Sequence, residues 1–198
     1  MKTFAAFSTV AAAALALVAC SKHDANADNA AMSEANTLDN AAAPGDSMNT
    51  PAAAEAPMTA QAFADAASAS DAFEVAAAKL AETKAANASV KSFAAEMVKA
   101  HTQSTTDLKA AAAKADGKPT PASTMTAEQQ ANLGKLKGLT GDAFDKEYVH
   151  QQLAAHQGAL AAMQGYATGG DSAPLKEFAR KTAAVVQHHL DMVQKLPM

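Results

Sequence analysis

The 198-residue chain of 20.1 kDa has room for one domain and not comfortably for two. Hydrophobic residues make up 49% of it, but 56 of them are alanine, which leaves 41 with more than a methyl group to offer a core. A formal charge of -4 and a single Cys exclude an internal disulfide, a cysteine-only metal site and the basic excess that nucleic-acid binding needs.

Residues 1–19 carry one basic side chain, Lys2, and then an uncharged apolar run through Phe4, Phe7, Val10 and Leu15 to Val18. That is the pattern of a secretory signal peptide, too short to span a bilayer as a permanent anchor. It ends Leu17-Val18-Ala19-Cys20, with the chain's only cysteine where the apolar run stops. These four residues resemble the bacterial lipobox, which implies acylation of Cys20 as the mature N-terminus. Several acyl chains there would hold the protein stably on a membrane, where one alone holds it only marginally. Ser21 and Lys22 follow. They stand in place of the aspartate associated with inner-membrane retention, so the expected location is the outer membrane, facing the periplasm.

Residues 20–58 are Ala, Asn, Asp, Ser, Thr and Pro with few larger apolar side chains, the composition of a disordered tether. The stretch 21–58 carries a net charge of -5, whereas 59–198 carries 14 basic and 14 acidic side chains. The expected domain is therefore electrostatically neutral. Charged polymers and anionic membrane surfaces are poor partners for it, and its protein or small-molecule partner is not readable.

From Thr59 onward, alanine-rich composition and three-and-four spacing predict helices. The first, 59–86, has the stripe Phe63, Ala66, Ser70, Phe73, Ala77 and Leu80. The second, 88–115, has Val90, Phe93, Met97, His101, Thr105, Leu108 and Ala112, and ends before Gly117 and Pro119. A short third helix, 127–137, is announced by Thr126 and Gln129 as a capping box. The fourth, 142–166, carries Val149, Leu153, His156, Leu160 and Met163. The fifth, 172–196, has Pro174 in its first turn and Leu175, Phe178, Thr182, Val186, His189, Val193 and Leu196 on one face. The expected fold over 59–198 is all-α: an antiparallel four-helix bundle with a short extra helix in the crossover.

On a helical wheel His101, His156 and His189 each fall within roughly 40° of the centre of their stripe, while His150 and His188 point away. Glu74 lies at the edge of the first stripe. Folding the first hairpin about Asn87 sets it level with His101. Folding the second about residue 170 leaves His189 roughly 7 Å off level from His156, a poorer pairing. Glu74, His101, His156 and His189 thus form a candidate set for a transition metal, Zn, Fe or Cu. Buried imidazoles that only find hydrogen-bond partners and fix register are the competing reading.

A di-iron carboxylate centre needs two inward Glu-x-x-His pairs, and Glu147 to His150, the one present, points outward. A dense Met/His run for copper is absent, and so are a domain cysteine and paired interior carboxylates for nucleophilic or two-carboxylate catalysis.

Phe73-Glu74-Val75 with Lys79-Leu80-Ala81, the run Val90 to His101, Phe144-Asp145-Lys146-Glu147-Tyr148 with His156, and Lys176-Glu177-Phe178-Ala179 with His189-Leu190 resemble the bacterial family called domain of unknown function 4142. The resemblance implies a secreted or outer-membrane protein with a ferritin-like bundle. It carries Glu74, His101, His156 and His189 over as recurring positions and implies no reaction. The family usually has Asp before the second helix's histidine, where this chain has Ala100. The expected function is a non-enzymatic envelope or stress-related binding protein; the alternative is a metal-binding or metal-dependent redox protein using the interior Glu/His set.

Overall fold

The structure, a computed structural model, describes residues 58–197. The proposed signal peptide, Cys20 and nearly all of the proposed tether lie outside the described residues. Five helices follow in order: α1 (Ala60–Lys84), α2 (Ala88–Ala112), α3 (Ala127–Lys137), α4 (Gly141–Gly169) and α5 (Ala173–Val193). The fold is all-α, and no helix among the described residues is long and apolar enough to cross a membrane.

Local chemistry sets the helix starts. Thr59 Oγ1 accepts from the Ala62 N–H at 3.3 Å, and Asn87 Oδ1 accepts from Ser89 at 2.8 Å. The predicted capping box is present: the Gln129 N–H donates to Thr126 Oγ1 at 3.1 Å, and the Thr126 N–H donates to Gln129 Oε1 at 2.9 Å. Asp145 of α4 caps a different element, accepting from the backbone of Ala86 at 3.1 Å and of Asn87 at 2.8 Å. One buried carboxylate thereby holds the turn between α1 and α2.

α1 packs along α2 and α4 along α5, while α2 also meets α5 and α1 meets α4; α3 rests on α1 and α4. Two apolar clusters fill the interior. One gathers Phe73, Phe93, Met97, Leu136, Phe144, Tyr148 and Val193 near the α1–α2 turn, and the other gathers Phe63, Leu108, Met163, Tyr166, Leu175 and Phe178 near the α4–α5 turn. Buried polar side chains of α1, α2, α4 and α5 lie between them: Asp71 and Glu74, His101, Gln152 and His156, and His189.

The buried face of α1 is wider than the expected stripe: Phe63, Phe73 and Ala77 are buried as expected, and a second row adjoins them. Ala66 is exposed and Ser70 and Leu80 are half-buried, whereas Ala64, Ala67, Asp71, Glu74, Ala78, Ala81 and Ala85 form an unbroken buried row at three-and-four spacing. The large side chains of Phe63, Phe73 and Leu80 set the expected phase. The second row is five alanines with Asp71 and Glu74 among them. That row brings Asp71 and Glu74 inward together.

Candidate metal-binding site

Three helices each deliver one imidazole to the polar layer: His101 from α2, His156 from α4 and His189 from α5. They are 7%, 2% and 2% exposed. Ring centroids are 5.8 Å apart for His101 and His156, 5.8 Å for His101 and His189, and 5.5 Å for His156 and His189. One ring nitrogen of each lies within 4.8 Å of a ring nitrogen of both others. The expected poor pairing of His156 with His189 is therefore corrected, since theirs is the shortest of the three separations.

Two effects close that gap. The α4–α5 link is centred nearer residue 171 than 170, which removes two residues of the five-residue offset. Side chains also lean toward the N-terminus of their own helix, so His156 leans away from the turn and His189 leans toward it, each narrowing what remains.

Hydrogen bonds to the far side of the rings determine which nitrogens are available. His101 Nδ1 donates to Asp71 Oδ1 at 2.8 Å, and Thr105 Oγ1 steadies the other carboxylate oxygen at 3.2 Å. His156 Nδ1 donates to the Gln152 carbonyl at 2.9 Å. Both partners are acceptors, so in the neutral form each ring carries its proton on Nδ1 and leaves Nε2 with a lone pair. Those two Nε2 atoms and His189 Nδ1 are buried without a hydrogen-bond partner.

Glu74 lies in the same layer but outside the tight trio. Its Oε2 accepts from Gln152 Nε2 at 2.6 Å, so Gln152 holds His156 through its backbone and Glu74 through its side chain. Tyr148, one turn before Gln152 on α4, keeps its hydroxyl buried and unpartnered. Burial, then the charges of Glu74 and Glu82, push its pKa well above the usual phenol range.

The electrostatics divide the three rings. Burial pulls His101 down, but the Asp71 hydrogen bond and the charges of Glu74 and Asp71 outweigh it and hold its pKa above 6.5. His156 is lowered, chiefly by burial and in part by His101, with Glu74 and the Gln152 carbonyl opposing. His189 is pushed down to about 3 by burial and then by His156, His101 and His188. His156 and His189 thus resist protonation and stay in the form that binds metal, whereas His101 must give up a proton to do so.

Of the four side chains expected in the site, the structure brings the three histidines together and sets Glu74 beside them, bonded to Gln152. Asp71 and Gln152 were not expected. Asp71 is legible in hindsight, because it sits three residues before Glu74 on the alanine row and mirrors His101 about residue 86. Gln152 carries a weaker signal, being one turn before His156. The outward placement of Glu147 and His150 holds: His150 is exposed, and Glu147 pairs with Lys135 of α3 at 2.6 Å.

A family model for the domain of unknown function DUF4142 matches residues 46–196, and the chain belongs to that family. No curated protein and no solved structure matches the chain.

Proposed function

We propose that the chain is an exported, lipid-anchored envelope protein whose four long helices form a ferritin-like bundle and bind one first-row transition metal ion through His101, His156 and His189. The carrying observation is that three buried imidazoles from three helices converge with unpartnered nitrogens. Leaving such atoms buried and unsatisfied costs about 1–3 kcal/mol each, and a cation at their centre removes that cost. Tetrahedral coordination at about 2.0–2.1 Å needs nitrogens roughly 3.3 Å apart, so modest ring movements complete the site.

The surroundings support the same reading. Metal-bound histidines usually donate their second nitrogen to a carboxylate or a carbonyl, which are the roles of Asp71 and the Gln152 backbone. Glu74 supplies negative charge beside the rings. Imidazole donors suit Zn, Cu or Fe ions. Binding, in storage or in protection of the envelope against metal stress, is the role this reading assigns, with Cys20 as the membrane attachment.

Titration of the full chain carrying Cys20→Ser with Zn²⁺, Cu²⁺ and Fe²⁺, alongside the same chain with His101→Ala and His156→Ala, tests it. One ion bound per chain, a raised melting temperature, and loss of both in the double variant are expected. Binding no greater than in the double variant overturns the metal reading and leaves three packed histidines.

A further inference from the structure

The three rings are almost wholly enclosed, so an ion needs a way in. On the α4 side Phe93 tilts against His156 with ring centroids 6.2 Å apart, and on the α1 side a smaller groove of about 430 Å³ reaches Asp71, whose carboxylate is already taken by His101 Nδ1 and Thr105 Oγ1. Between α2 and α5 one of the three rings itself forms part of a groove wall. A groove of about 790 Å³ runs there over Ala100 and Ala184, and His189 is part of its lining. Ala100, which directly precedes His101 in the chain, presents only a methyl group to this groove.

The rim of this groove carries ligand chemistry. Glu96 and His188 both line it, and both are exposed. The His188 and His189 ring centroids are 6.3 Å apart, within a short step for an ion passing from one imidazole to the next. At roughly 30 Å³ per water, the groove has space for an ion with its full first hydration shell. Lys99 also lines it. Its long flexible stem leaves the ammonium free to stay in water.

We propose that the groove between α2 and α5 is the port through which a hydrated divalent cation reaches the buried histidines, with Glu96 and His188 as its first, transient ligands. The inference rests on the metal-binding reading above. His189 belongs to both places: its wall position faces the port, and its Nδ1 is one of the unpartnered interior nitrogens. Exchange of the rim ligands' carboxylate and imidazole for the interior imidazoles would strip the water shell in stages. A port changes rates in both directions and leaves the equilibrium alone.

Stopped-flow uptake of Co²⁺, and its release to excess chelator, by the full chain carrying Cys20→Ser distinguishes the cases. Two variants are compared with it: Glu96→Gln with His188→Gln, and Ala100→Leu, which narrows the groove with a helix-favouring residue. Uptake and release both slowed at least fivefold, with Kd within twofold, is the expected result in each. Unchanged rates in both variants overturn the port. A tenfold weaker Kd in the rim variant also overturns it, because Glu96 and His188 would then be resident ligands. Absence of stoichiometric Co²⁺ binding in the parent chain overturns the histidine site itself, a result separable from either of these.

Discussion

Asp71 acts on a single atom with consequences for the whole site. Its carboxylate takes the proton-bearing Nδ1 of His101, which fixes the ring's orientation and directs the Nε2 lone pair inward. Asp71→Asn keeps the shape and removes the charge. Metal affinity is expected to fall roughly 10- to 100-fold, measured by competition with a chelator.

The same rings give the ion-free protein a signed pH dependence. His189 has a folded pKa of about 3 against an ordinary 6.5, so between those values the unfolded chain binds a proton that the folded chain refuses. That contribution is present above pH 6.5 and is lost as pH falls. His156 acts in the same direction. His101, raised by Asp71 and Glu74, acts oppositely: its contribution is intact below pH 6.5 and is lost as pH rises through its folded value. Ion-free protein is expected to lose stability from pH 6.5 to 4, with His189 contributing at most about 1.4 kcal/mol per pH unit. Urea midpoints measure the loss, and in His189→Gln the slope should be shallower.

At the scale of elements, Asp145 shows what the Phe-Asp-Lys-Glu-Tyr motif of α4 is for. Its carboxylate accepts from two backbone N–H groups at the α1–α2 turn and locks one hairpin to the other. Asp145→Ala leaves both donors unpaired and is expected to cost about 3 kcal/mol in urea unfolding, with metal stoichiometry unchanged. Helix starts were readable to within a residue because caps such as Thr126 and Asn87 act on backbone close to themselves, while four of the five ends lie two or three residues from the expected ones: α1, α2 and α5 stop earlier and α4 runs on to Gly169. Helix phase was less readable in α1, where alanine carries too little hydrophobic contrast to mark a face. The row from Ala64 to Ala85 is a packing seam that sequence patterning scores as neutral. The histidines were legible because α2 and α5 bury the faces expected of them, with Met97, Leu108, Val186 and Val193 marking those stripes clearly. Asp71 and Gln152 depend on register between helices, which hairpin counting resolves only to a residue or two.

At the scale of the whole molecule, the proposed lipid attachment separates where the protein sits from what its domain does. Cys20→Ser is expected to move the protein from the membrane fraction to the soluble periplasmic fraction, followed by fractionation and immunoblotting. The soluble form should retain its metal stoichiometry, since His101, His156 and His189 all lie far from Cys20 in the chain.

The three nitrogens are divided between two hairpins: α1–α2 brings one, and α4–α5 brings two. On the proposed reading neither half alone would enclose a cation, and coordination would begin only once the halves have docked. A polypeptide threaded through the inner membrane in extended form would cross without cargo. The identity of the bound element would then be decided by what is dissolved outside the cytoplasm at the moment of folding, and the chain would sample a metal pool different from the one surrounding the ribosome that made it.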